Sequence, residues 1–160
     1  IWINPSPYAD FGVNDTSQCL EDNLFQFNNY SSIAYGTLIT KWYFGDGLVT
    51  YQKNPSHSYN SGHSYLVSLA VTSSLRCKDS IAKIVTVHPT PVPDFDINDS
   101  VQCFNGHQFD LTNRSSIMSG NKMGHFWDFG NGDTLTSLHA QKTYNNLNDY
   151  QIKLVNMNIL

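Results

Sequence analysis

Trp42-Tyr43-Phe44-Gly45-Asp46-Gly47, and its echo Trp127-Asp128-Phe129-Gly130-Asn131-Gly132, are the stretches from which the fold can be read. In each, a Trp and a Phe two residues apart fall on one face of a strand, and both rings are large enough to anchor a core. The Gly-Asp-Gly or Gly-Asn-Gly that follows tolerates positive φ, so the chain reverses at once. A strand and turn that occurs twice predicts a domain that occurs twice.

The repeat extends outward from this motif. Asp10-Phe11 through Gln18-Cys19 returns as Asp94-Phe95 through Gln102-Cys103, a displacement of 94 − 10 = 84. Phe25 then matches Phe109, and Asn29 matches Asn113. From the tryptophans onward the displacement is 127 − 42 = 85, placing Tyr59 on Tyr144, Tyr65 on Tyr150 and Leu69 on Leu154. A period this long is a whole small domain, not a solenoid unit.

Composition agrees with a sheet protein. Aromatic residues make up 13% of the 160 residues and charged residues only 14%, which favours half-buried strands over helices. The net charge of −4 and the absence of a basic cluster argue against a nucleic-acid partner. The longest apolar run, Tyr65 to Val71, has the length of a strand and is too short to span a membrane.

Phe11 and Val13, Phe25 and Phe27, Trp42 and Phe44, Tyr65 through Val71, and Val85 and Val87 alternate as short strands between turn residues. This predicts an all-β fold of two immunoglobulin-like β-sandwiches in tandem. The expected boundaries are a first domain over 7–88, a proline-rich spacer over 89–93 and a second domain over 94–160. Ile1-Trp2-Ile3 matches Val85-Thr86-Val87, so residues 1–6 read as the remnant of a preceding repeat. The second copy stops before any counterpart of Ile81 to Val87, so its strand over Tyr150 to Val155 is expected to lack its last neighbour.

The WYFGDG and WDFGNG cores, Asn54-Pro55-Ser56-His57-Ser58-Tyr59, and Gly62-His63-Ser64-Tyr65-Leu66-Val67-Ser68-Leu69-Ala70-Val71 together resemble tandem polycystic-kidney-disease (PKD) domains. The second copy departs from that pattern at Asn131, Lys142 and Leu147. The Gln-Cys and Arg-Cys-Lys-Asp-Ser segments, joined by Pro-x-Pro, are similar to repeats of large surface adhesins of gliding bacteria. The resemblance implies an extracellular, non-catalytic module on a bacterial surface, acting as stalk and interaction face. Its partners would be neighbouring repeats of the same polypeptide and surface glycans or proteins. A carbohydrate-binding accessory module of a secreted hydrolase is the alternative, with Tyr30, Tyr35 or Tyr51 stacking on sugar rings.

Each candidate site residue also has a plainer reading. Trp42, Phe44, Trp127 and Phe129 belong to the core, while Gly45, Asp46, Gly47, Gly130 and Gly132 shape turns. His57 is expected to fix a turn, Tyr59 and Tyr144 to belong to the same motif, and Tyr65 and Tyr150 to form tyrosine corners. Cys19 and Cys77 are expected to form a disulfide, as suits an exported module; a zinc site would need paired-cysteine spacing, which is missing. Ser80, Ser100 and Thr134 lie in Asp-Ser/Thr-apolar segments that match an O-glycosylation acceptor of that bacterial group. Frequent turn usage explains them equally well. No cofactor is expected. Calcium, which some PKD domains bind, needs several carboxylates, and Asp15, Glu21 and Asp22 are the only crowded acids.

Overall fold

The computed structural model describes residues 3–118 and 122–159. Among them the chain is all β, and its contacts divide it into two compact units, Ile1–His88 and Pro89–Leu160. Ile1 and Trp2, expected to be the remnant of a last strand, lie outside the described residues.

The first unit contains β1 (Phe11–Val13), β2 (Ser17–Cys19), β3 (Phe25–Asn29), β4 (Leu38–Tyr43), β5 (Val49–Thr50), β6 (Ser56–His57), β7 (Ser64–Ser73) and β8 (Lys78–His88). One sheet has the order β1-β3-β6 and the other β2-β8-β7-β4-β5. The two-residue alternation of β7 sends Val67, Leu69 and Val71 inward, where each is fully buried, and leaves Leu66 exposed. Phe25 and Phe27 of β3 and Val85 and Val87 of β8 meet them from the other strands. Trp42 lies at the centre with its ring edge-on to Phe11, 5.1 Å between centroids and 74° between planes. Burying each such side chain stabilises the sandwich by about 1.5–3 kcal/mol.

The second unit contains β9 (Phe95–Ile97), β10 (Phe109–Asn113), β11 (Lys122–Asp128), β12 (Thr134–Leu135), β13 (Ala140–Lys142) and β14 (Lys153–Ile159). Its sheets run β9-β10-β13 and β12-β11-β14. Trp127 repeats the central position, edge-on to Phe95 at 5.2 Å and 79°. Among the described residues the buried core is smaller: Leu111, Trp127, Phe129, Ala140, Tyr144 and Leu154.

Three expectations change. The strand expected over Tyr150 to Val155 runs instead over Lys153–Ile159. In the first unit, Ser64, Tyr65 and Leu66 pair only with β8, because pairing with β4 begins at Ser68. Among the described residues of the second unit no strand stands where β8 stands, so 150–152 have no ladder to join. Residues 101–103, the counterpart of β2, form no strand for the same reason, since among the described residues β2 pairs with β8 alone.

The proline-rich segment expected as a spacer is bonded into the second unit. Val92 and Ser116 exchange backbone hydrogen bonds of 2.8 and 3.0 Å, and Asn158 Nδ2 donates to the Pro89 carbonyl at 3.2 Å. Prolines are tolerated there because the segment makes only an isolated bridge at Val92, so Pro91 and Pro93 have no ladder bond to donate.

The expected Cys19–Cys77 disulfide is absent: both thiols are free, as is Cys103. β2 runs parallel to β8 and places Cys19 opposite His88, the last residue of that strand. Cys77 precedes Lys78, its first residue. Eleven extended steps, 88 − 77, separate these ends by roughly 36 Å, whereas a disulfide requires Cα atoms within about 7 Å.

Candidate functional site

The motif residues of the first unit converge on one aromatic column beside the β4–β5 turn. Gly45 and Gly47 take φ values of 85° and 95°, a region that glycine enters without steric cost. Between them Asp46 accepts a 3.0 Å bond from the Leu48 amide and meets His57 Nε2 at 2.7 Å. The His57 ring lies flat on Phe44 at 4.0 Å, and its edge meets Tyr59 at 4.7 Å. Tyr59 stacks in turn on Tyr65 at 3.8 Å.

The tyrosine hydroxyls and the Trp42 ring nitrogen are directed at the backbone. Tyr59 Oη donates to the Phe44 carbonyl at 2.7 Å, Tyr65 Oη to the Ser61 carbonyl at 2.9 Å and Trp42 Nε1 to the Gln52 carbonyl at 3.0 Å. Burial, reinforced by the nearby Asp46 charge, pushes the Tyr59 and Tyr65 phenols above their ordinary pKa. For Asp46, burial favours the neutral acid, but the Leu48 amide and the His57 ring prevail and hold its carboxyl below the ordinary value.

The second unit rebuilds the column with different polar groups. Tyr144 stacks on Tyr150 at 3.7 Å, Tyr144 Oη donates to the Phe129 carbonyl at 2.9 Å, and Tyr150 Oη donates to the Asn146 carbonyl at 3.0 Å. Trp127 Nε1 donates to the Ser137 carbonyl at 3.0 Å. Lys142 stands where His57 stands (142 − 85 = 57), its ammonium 5.1 Å from the Phe129 ring centre and 5.3 Å from that of Tyr144. Its carboxylate partner has moved two residues, to Asp133, because Asn131 occupies the Asp46 position. Bonding to Lys142, then to Asn131, lowers the Asp133 pKa.

A second anchor of the column is hidden in the sequence. Buried Asn23 donates through Nδ2 to the carbonyls of Leu20 and Tyr59, and its Oδ1 accepts from the Tyr59 amide, each at 2.8 Å. In the second unit His107 takes this place (107 − 84 = 23). Its Nε2 accepts from the Tyr144 amide at 2.7 Å, while Nδ1 donates to the Phe104 carbonyl at 2.6 Å. The two partners fix the tautomer, because an amide can only donate and a carbonyl can only accept. Displacement 84 is the one sequence signal that links Asn23 to His107, and nothing in either residue type announces the role.

Other candidates lie apart. Ser80 is exposed on β8, Ser100 precedes residues 101–103, and Thr134 is exposed on β12. Tyr30, Tyr35 and Tyr51 are exposed, and only Tyr51 joins a cluster. The Lys41 ammonium lies 4.9 Å from the Tyr43 ring centre and 5.6 Å from that of Tyr51, and bonding to Tyr43, then Tyr51, raises its pKa. Among the described residues no three of His, Cys, Asp and Glu gather as metal ligands. Asp15 caps the Ser17 amide at 3.0 Å.

Comparison with known proteins shows what this chain is similar to. The PKD1 domain of Vibrio anguillarum Epp is 28% identical, covering 53% of this chain and 96% of its own length with a TM-score of 0.47. The PKD1 domain from the Vibrio cholerae metalloprotease PrtV is also 28% identical, covering 53% and 98% with a TM-score of 0.44. A carbohydrate-binding module of the β-sandwich superfamily is 15% identical across 96% of this chain and 84% of its own, with a TM-score of 0.51, a likeness of fold. A family model described as PKD domain matches residues 4–89, which is more than half of the 160. The chain therefore belongs to the PKD domain family.

Proposed function

We propose that this chain is a non-catalytic, extracellular repeat module of a bacterial cell-surface adhesin, serving as stalk and interaction face. The observation that carries this reading is the repetition of one scaffold with different polar chemistry. Asp46 and His57 give way to Asp133 and Lys142, and Asn23 gives way to His107, while the tyrosine stacks and their backbone bonds stay the same. A shared active site would need the same acid, base and nucleophile in each copy. A shared scaffold needs only the stacks and anchors. Family membership and the Pro-x-Pro joints support display in an array outside the cell.

Tyr43, Lys41 and Tyr51 favour a second reading, a carbohydrate-binding accessory module. Two exposed aromatic rings flanking a cation suit stacking on a sugar that carries a carboxylate. One experiment separates the readings. The purified chain is tested for binding to bacterial cells and to neutral and acidic polysaccharides, with product release followed in parallel. Cell binding that survives Tyr43→Ala and Tyr51→Ala supports the adhesin module. Polysaccharide binding lost in those variants supports the accessory module. Turnover abolished by one point mutation overturns both.

A further inference from the structure

In the first unit β7 pairs with β4 along its whole length, whereas β5 pairs with it at Trp42 and Tyr43 alone. After Thr50 the chain leaves the five-stranded sheet and crosses to the other one. There the Pro55 carbonyl accepts from the Phe27 amide, and Asn54 Oδ1 from the Asn29 amide, each at 2.9 Å. Between this crossover and the bare edge of β4 at 38–41 opens a groove of about 500 Å³. Asn29, Thr37, Ile39, Thr40, Tyr51 and Lys53 are its chief lining residues.

The groove is rich in donors and holds no acid. Among the described residues that line it there is no Asp or Glu, although the chain carries a net charge of −4. Asn29 Oδ1 accepts from the Ser31 amide at 2.9 Å, and its Nδ2 has no partner among the described residues. In the second unit the counterpart Asn113 Nδ2 meets His125 Nδ1 at 2.8 Å. Thr40 stands at that histidine's position (125 − 85), and its hydroxyl donates instead to the Tyr51 carbonyl at 3.5 Å. Lys53 forms no ion pair among the described residues. Tyr51 is 64% exposed and belongs both to the groove and to the cluster with Lys41, whose ammonium lies 5.6 Å from its ring centre.

We propose that this groove binds an acidic saccharide built of uronate rings. One ring stacks on Tyr51, the carboxylates of neighbouring rings meet Lys41 and Lys53, and ring hydroxyls accept from Asn29 Nδ2. The inference gives the carbohydrate-binding reading a ligand class and a second set of contacts, and it rests on that reading. An added peptide strand suits the place less well. The bare edge is four residues long, with Tyr51 bonded to Thr40 beside it, and a strand of ordinary length needs five or six, roughly. The second unit does not share the site, because Phe126, Thr136 and Leu138 replace Lys41, Tyr51 and Lys53 (126 − 85, 136 − 85 and 138 − 85).

The probe is an oligomer of galacturonic acid, titrated into the whole chain and followed by NMR shifts. Saturable binding is expected, with shifts at 29–31, 37–41 and 51–53 and none at the matching residues of the second unit. Lys53→Gln should weaken binding about two- to fivefold, the value of an exposed ion pair, and Lys53→Arg should retain it. Tyr51→Phe should keep the affinity and Tyr51→Ala should lose it severalfold, with the melting temperature unchanged because both side chains are exposed. The methyl ester of the same oligomer, which keeps every ring and loses the charge, should bind more weakly. Polyglutamate bound as tightly as the oligomer overturns the proposal, since negative charge alone would then suffice. Saccharide binding that Tyr43→Ala and Tyr51→Ala abolish but Lys53→Gln leaves unchanged overturns the groove and keeps the carbohydrate-binding reading. Absence of binding to any saccharide overturns both.

Discussion

The hydroxyl of Tyr59 donates a 2.7 Å hydrogen bond to the carbonyl of Phe44, inside the sandwich and directly below the Gly45-Asp46-Gly47 turn. Tyr144 and Phe129 repeat it at 2.9 Å. Tyr59→Phe leaves that buried carbonyl without its donor and should cost about 1–3 kcal/mol. The exposed bond from Tyr65 to Ser61 should cost less when removed by Tyr65→Phe. Denaturant titrations of the two variants should show that order; a larger loss for Tyr65→Phe would contradict it.

Gly45 and Gly47 both have positive φ but differ in surroundings. A Cβ on Gly45 would lie 2.9 Å from the Leu66 carbonyl oxygen, whereas one on Gly47 meets nothing within 4 Å. Gly47→Ala should show only the conformational cost of about 1–2 kcal/mol. Gly45→Ala adds a clash with backbone and should be the more destabilising, as should Gly130→Ala, whose Cβ would approach the Gln151 oxygen to 2.6 Å. Melting temperatures of the three variants test the ranking.

Asp46 has a depressed pKa in the folded chain, so it binds protons less readily there than when unfolded. Its contribution is fully present above the ordinary carboxyl value of 3.8 and is lost as pH falls through the lower folded value. Stability of the first unit should thus be flat on this account near neutrality and decline in acid below that value. Asp46→Asn should reduce the acid-dependent part while leaving the fold intact. An unchanged slope in the variant would assign the acid sensitivity elsewhere.

Asn23 serves three backbone groups at once. Asn23→Ala strands the buried Tyr59 amide and should cost about 1–3 kcal/mol for that group alone. Asn23→His, the residue used at this place in the second unit, should recover part of the loss. Equal stability of the two variants would show that the His107 arrangement does not transfer.

Cys19 and Cys77, at opposite ends of β8, should both react with a thiol reagent in the folded or briefly unfolded chain. The melting temperature should not change when reductant is added. Mass spectrometry that finds a Cys19–Cys77 bridge in the monomer would contradict the β2–β8 pairing itself.

Local pattern alone determined much of this protein. Period-two alternation in Tyr65–Val71 and Trp42–Phe44, followed by glycines in the turn, specifies strands and their inward faces, because those signals act over two to six residues. The tertiary structure decided what depends on which strands become neighbours. The parallel seat of β2 on β8 separates Cys19 from Cys77, although both belong to one copy. Pairing with β8 makes Tyr65 part of a strand, and with no such neighbour among the described residues Tyr150 stays outside β14. Asn23 reaches Tyr59 across 36 residues of sequence, and Lys142 finds Asp133 instead of the residue at the Asp46 position. These contacts are non-local. A residue type states what bonds it can make, and only the folded backbone determines which partner comes within reach.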